Sequence, residues 1–113
     1  VRAAVNDTRF PWYLLVPRLP DLTEIHHLPT AHRLTLFKEI ERLSDYLLGN
    51  TKTTKINVAA LGNIVPQLHV HVIGRHPDDQ AWPNPVWTGG SAETYTKADA
   101  ESLIVAIREA LLV

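Results

Sequence analysis

Apolar positions change period along this chain, and each change marks an element. Trp12-Tyr13-Leu14-Leu15-Val16 is a continuous aromatic and aliphatic run between Pro11 and Pro17, which predicts a buried strand. A short apolar stretch, Val1 to Val5, precedes it, and Asn6-Asp7-Thr8-Arg9 between the two reads as a turn. The two segments are expected to pair as a hairpin. Asp21 or Thr23 is expected to cap a short helical turn through His27, closed by Pro29, and Thr30 to cap the helix that follows. There Leu34, Phe37, Ile40, Leu43 and Leu47 recur at steps of three and four, with Arg33, Lys38, Glu41, Arg42 and Asp45 mostly opposite. This pattern predicts an amphipathic helix with one core face, ended by Gly49-Asn50.

The period then shortens. Lys55 to Ala60 reads as a strand, Leu61-Gly62-Asn63 as a tight connection, and Pro66 as the entry to a second strand, in which Gln67 to Arg75 alternates strongly. Residues 76–96 are expected to be irregular, since 76–92 alone hold three Pro, two Gly and two Trp. Lys97 to Leu112 predicts a terminal helix with Leu103, Ile104, Ile107 and Leu111 at helical spacing, Thr96 as its cap and Asp99 in its first turn. The order β-β-α-β-β-α lacks a repeated βαβ unit. It predicts an α+β fold with an antiparallel sheet, one face covered by the central helix.

At 113 residues the chain is expected to be a single domain. Eleven Lys and Arg against 12 Asp and Glu give a net charge of −1, which argues against general attraction to a nucleic acid polymer or an anionic membrane. No apolar run approaches the roughly 20 residues that span a bilayer. The start Val1-Arg2-Ala3-Ala4 has no signal-peptide pattern, and the absence of Cys excludes disulfides, thiol catalysis, thiolate zinc sites and iron–sulfur clusters. A cytoplasmic protein is expected. The absence of any Met, even at position 1, suggests a chain trimmed from a longer one.

The chemistry concentrates in Gln67-Leu68-His69-Val70-His71-Val72-Ile73. On a strand, Leu68, Val70 and Val72 form one apolar row, and Gln67, His69 and His71 form a polar row on the opposite face. Same-face neighbours lie roughly 6.5–7 Å apart, so one imidazole can attack a phosphorus while the next reaches the departing atom. Neutral His is a competent nucleophile near pH 7, and a second His can assist the leaving group. Gln67 can hydrogen-bond but cannot act as an acid. Asn57 is expected on the imidazole face of the preceding strand if Ile56, Val58 and Ala60 face the core. The Gly62-Asn63 turn can present N–H groups to an oxyanion.

Other readings of these residues stand beside this one. The two imidazoles could line a plain solvated face. They could also ligate a metal, with His76, Asp78 or Asp79 as the nearest third ligand. Trp82 and Trp87 read as packing residues rather than a base-stacking platform. Arg75 reads as a strand-end residue or a phosphate ligand.

The run Asn63 to Ile73 resembles the signature of the HIT (histidine triad) family, His-φ-His-φ-His-φ-φ, where φ is apolar. Leu14-Leu15-Val16-Pro17, the long helix and the Asn57 strand follow the family's order over residues 5–75. The Ala81-Trp82-Pro83 and Val86-Trp87 tail is similar to that of a bacterial subgroup with Gln-x-His-x-His. The resemblance implies an antiparallel meander sheet with a long central helix on one face and a C-terminal helix, the family's first strands lying before residue 1. It implies a nucleotide hydrolase or transferase acting at an α-phosphate, with His69 as nucleophile, His71 assisting the leaving group, and Gln67 in place of the first His. Asn63 would contact phosphate, Asn57 would line the site and Asn6 would touch the ribose. A nucleotide or nucleotide conjugate as ligand, a homodimer, no cofactor and no metal are implied as well. A catalytically weak nucleotide-binding dimer is the alternative that Gln67 raises.

Overall fold

The computed structural model describes residues 2–111. Its elements are β1 (Arg2–Ala4), β2 (Trp12–Leu15), α1 (Thr30–Asn50), β3 (Lys55–Ala59), β4 (Val70–Arg75) and α2 (Lys97–Leu111), with single 3-10 turns at Ile25–His27 and Val86–Thr88. The α+β class and the antiparallel sheet agree with the expectation. The expected contributions of Val1 and Leu112 lie outside the described residues.

The strand order is β1-β2-β4-β3, with all pairs antiparallel. This corrects the expected meander. The connection through α1 carries the chain past the place beside β2, and β4 takes that interior position while β3 becomes the edge. Burial accounts for the choice. Every residue of β4 is buried, whereas β3 has only exposed and half-buried residues. A strand apolar along its core row belongs in the sheet interior, where both neighbours satisfy its backbone.

α1 packs across one face of the sheet. Its Leu36, Leu43 and Leu47 join Tyr13, Leu15, Val70 and Val72 in the main core, with Ile107 and Leu111 of α2 closing one side. Ile40, Leu43 and Leu47 pack in or against the core as expected. The first part of the stripe differs: Leu36 is buried, while Leu34 and Phe37 are 60% and 58% exposed. Leu36 lies one helical step from Ile40 and two from Leu43, and register against the sheet turns that line inward and Leu34 and Phe37 outward. α1 also starts at Thr30, with Pro29 preceding it, so Thr30 is the first helical residue rather than the cap. The 3-10 turn is preceded by Glu24, and neither Asp21 nor Thr23 caps it. Thr96 does cap α2, accepting the Asp99 N–H at 3.2 Å.

Val58 was expected in the core but is 49% exposed, because the edge strand extends past the cover of the helix. Ile56 packs against the core. A close approach fixes Gly74 on β4: a Cβ there would fall 2.0 Å from Thr53 Oγ1. Among the described residues no helix is long and apolar enough to cross a membrane.

Candidate functional site

The face of the sheet away from α1 carries the imidazoles. Cross-strand partners share a face. Leu14 and Ala59 flank His71 on its two sides, and Trp12 and Asn57 flank Ile73 in the same way. His71, Ile73, Arg75, Asn57 and Trp12 therefore belong to one surface. β4 begins at Val70, so Gln67, Leu68 and His69 precede the strand rather than lying in it as expected. The alternation persists all the same. Leu68 is buried and its N–H donates to the Leu22 carbonyl at 2.8 Å, which holds it to the core and turns His69 to the opposite face.

The two rings stand together, with centroids 5.1 Å apart and nearly perpendicular planes. His69 Nδ1 lies 2.7 Å from the Gln67 carbonyl oxygen. A carbonyl only accepts, so Nδ1 of His69 carries the hydrogen in this contact and Nε2 keeps its lone pair. His71 is only 7% exposed. Its Nδ1 accepts the indole N–H of Trp12 at 2.9 Å. Burial, reinforced by the neighbouring His69, pushes the His71 pKa below its ordinary value.

Trp12 and Trp87 form two walls around His71. Trp87 meets the His71 ring edge-on at 5.0 Å and the Trp12 ring at 5.5 Å. Trp12 also contacts Phe10 and packs on the second apolar cluster of Phe10, Ile73, Ala81 and Val86. Arg9 holds the irregular segment in place: it pairs with Asp7 at 2.8 Å and donates to the Gly89 and Gly90 carbonyls. The Arg9 guanidinium holds the Asp7 carboxyl below its usual range.

Asn57 is oriented by a cation. Arg75 Nη1 donates to Asn57 Oδ1 at 3.0 Å. Arginine has no acceptor, so the amide NH2 of Asn57 points away from it. Arg75 is itself 2% exposed and pairs with Asp79 through two bonds of 2.7 and 3.0 Å, with a third to the Asn84 carbonyl. This buried role answers the choice the sequence left open between strand end and phosphate ligand. Asp79 also accepts the N–H groups of His76, Ala81 and Trp82. Burial opposes its ionisation, but the Arg75 and backbone bonds outweigh that and pull its pKa down to about 2.

A cleft of about 270 Å³ opens beside His69, lined by Thr23, Glu24, His26, Leu61 and Gly62 among others. Gly62 has φ +70, the left-handed region in which glycine is at ease, and Asn63 follows it, exposed. Gln67 is half-buried beside the pair. Asn6 is exposed in the turn after β1, and its Oδ1 accepts the Tyr95 N–H at 2.8 Å, a bond to the C-terminal segment rather than to the imidazoles. Among the described residues no cluster of three or more His, Asp or Glu is placed to hold a metal. His76 Nδ1 instead accepts the Asp78 N–H, and Asp79 is held by Arg75.

Sequence reasoning missed Trp12 and the orienting role of Arg75. Trp12 lies two positions from Leu14 on the same face of β2, and its reach to His71 is visible only once the β2–β4 register is known.

A family model for the HIT domain matches residues 2–78. A histidine triad protein from Bradyrhizobium japonicum is 43% identical, with a TM-score of 0.88 over 97% of this chain and 82% of its own. One from Sinorhizobium meliloti is 40% identical, TM-score 0.89, with the same coverages. A third, from Marinobacter aquaeolei, is 39% identical, TM-score 0.86, over 96% and 80%. No curated protein matches the chain.

Proposed function

The chain belongs to the HIT-domain family, and from that premise we propose that it is a nucleotide hydrolase or nucleotidyl transferase with His69 as its nucleophile. The observation that carries this reading is the bond from His69 Nδ1 to the Gln67 carbonyl, beside a second imidazole 5.1 Å away. With the hydrogen of the neutral ring on Nδ1, Nε2 of His69 holds a lone pair that needs no base to activate it.

In this reading His69 Nε2 attacks the α-phosphorus of a bound nucleotide conjugate. A P–N bond forms, the bond from phosphorus to the leaving atom breaks, and its electron pair departs with that atom. Water, or a hydroxyl acceptor in a transfer reaction, then attacks phosphorus and loses its proton to solvent, the P–N bond breaks with its electron pair returning to Nε2, and the nucleotide is released. His71 hydrogen-bonds the leaving atom. The amide NH2 of Asn57 and the Gly62-Asn63 turn hold phosphate oxygens, Gln67 hydrogen-bonds phosphate or imidazole, and Asn6 is assigned to the ribose edge. No step draws on a metal or cofactor.

We also propose a homodimer. Val58 on the open edge of β3, Leu34, Phe37 and Leu48 on the outer side of α1, and Ile64 and Val65 in the β3–β4 connection are all exposed apolar residues. An apolar edge strand left unpaired invites a second strand.

The test is a rapid-mixing experiment with an adenosine and a guanosine 5′-monophosphate conjugate carrying a good leaving group. The reading expects a burst of one leaving group per chain and a nucleotidyl adduct on His69 by mass spectrometry. Nucleotide binding with neither burst nor adduct would replace it with a non-catalytic nucleotide-binding dimer.

A further inference from the structure

We infer that His71 serves as a hydrogen-bond donor and not as an acid, and that the substrates are nucleotide anhydrides, whose leaving group departs without a proton, rather than amidates or alkyl esters. The inference rests on the reading of His69 as nucleophile and narrows the class of conjugate it attacks. The amidate, ester and anhydride that share an α-phosphate differ in one respect. A phosphate or carboxylate leaves as a stable anion, whereas an amine or alkoxide needs a proton as its bond to phosphorus breaks.

Trp12 decides which of these His71 can serve. Its indole N–H is a donor only, and at 2.9 Å it occupies the lone pair of His71 Nδ1. The remaining hydrogen of the neutral ring is then on Nε2. A ring in this state can donate a hydrogen bond from Nε2, but giving that proton up would make it an imidazolate, an anion far too basic to form near neutral pH. To act as an acid, His71 would first need a second proton on Nδ1, the site that Trp12 holds. The indole cannot easily yield, since Phe10 and Trp87 pack against it edge-on. Burial of His71 and the neighbouring His69 oppose the second proton in the same direction.

The other groups around the ring supply no proton in its place. Leu14 flanks it on β2, Ala59 on β3 and Trp87 on the irregular segment, and none of them titrates. Gln67, at the first position of the triad, is a neutral amide. His69 is engaged as nucleophile at one nitrogen and bonded to a carbonyl at the other. Glu24 and His26 line the cleft at His69, and His71 is not part of that lining.

Two measurements test this. The first is the rate for a matched series on adenosine and guanosine 5′-monophosphate: a phosphoanhydride, a nitrophenyl ester, an alkyl ester and an alkylamidate. The anhydride and nitrophenyl ester are expected to exceed the alkyl ester and amidate by about a hundredfold or more in kcat/KM, the usual worth of a general acid that is absent. Trp12→Phe keeps the ring and removes the N–H, and is expected to narrow that ratio near pH 6 because Nδ1 becomes free to take a proton. Equal rates across the series in the wild-type protein overturn this inference while leaving His69 as nucleophile. No turnover and no adduct with any member overturns both. The second measurement needs no variant. The imidazole nitrogens of His71 are expected to resolve by NMR as a protonated Nε2 and an unprotonated Nδ1 in the free protein at pH 7. A protonated Nδ1 overturns the inference whatever the rates.

Discussion

Arg75 fixes the orientation of Asn57: its Nη1 donates to the amide oxygen at 3.0 Å, so the amide NH2 must face elsewhere. The sequence separates the two by a whole hairpin, yet both lie on the imidazole face of neighbouring strands. Asn57→Ala removes that NH2 and is expected to lower kcat/KM by about 10- to 100-fold, the loss of one hydrogen bond to a charged oxygen. Asn57→Asp keeps an acceptor for Arg75 and so keeps the fold, but sets a carboxylate against the phosphate. It is expected to lose at least as much activity, with an unfolding midpoint close to the wild type. Arg75→Met should behave oppositely, destabilising the whole protein by about 3–5 kcal/mol because Asp79 is left buried without its cation. Urea unfolding alongside steady-state kinetics separates the two patterns.

The two imidazoles should fail in different ways. His69→Ala is expected to abolish turnover and adduct formation while nucleotide affinity stays within about tenfold, since removing a nucleophile need not remove binding contacts. His71→Ala is expected to lower kcat by about a hundredfold, the cost of losing one donor at the departing atom. It should still yield the His69 adduct when a good leaving group is supplied. An adduct missing in both variants would assign the attack differently.

Much of this was legible in the chain, and the parts that were not share a cause. The β-β-α-β-β-α order, the cap at Thr96 and the common face of His69 and His71 follow from local period and spacing. Position beside a neighbour does not. The first turns of α1 offer Leu34, Leu36 and Phe37, and only docking on the sheet selects Leu36 over the other two. The place of β4 between β2 and β3 rests on nonlocal pairing, and with it the contact of Trp12 to His71 and of Arg75 to Asn57. A strong alternation named the two imidazoles. Trp12, which bonds Nδ1 of His71, lies on another strand, and spacing along one strand cannot report it.

Gly74 tests the packing beneath the site. Its α-carbon faces Thr53, and a methyl group there would meet Thr53 Oγ1 at 2.0 Å and the Pro11 ring at 3.2 Å. Gly74→Ala is expected to destabilise by about 1–3 kcal/mol, the range for overpacking a filled interior. Thr53 is buried and its hydroxyl bonds Thr51 Oγ1 at 2.6 Å, so it cannot simply swing away. The double variant Gly74→Ala with Thr53→Ala should recover part of the loss, and thermal unfolding of the three proteins measures how much.

Acid should weaken the fold in two separate windows. His71 is held neutral by burial and by His69, so its pKa in the folded protein lies below the ordinary 6.5. Below that ordinary value the unfolded chain takes up a proton the folded one resists, and stability falls as pH drops. Asp79 acts lower down. Its pKa is about 2 in the folded protein against an ordinary 3.8, so its pairing with Arg75 contributes fully above about pH 4 and is lost as pH falls through 2. The second window is worth about 2 kcal/mol. Urea midpoints measured from pH 7 to pH 2 should show both declines. His71→Asn is expected to remove the upper one and leave the lower, while Asp79→Asn, already destabilised at pH 7, should make the lower one shallower, with the Asp7–Arg9 pair carrying the rest. A wild-type midpoint that stays constant between pH 7 and pH 5 would contradict a neutral, buried His71.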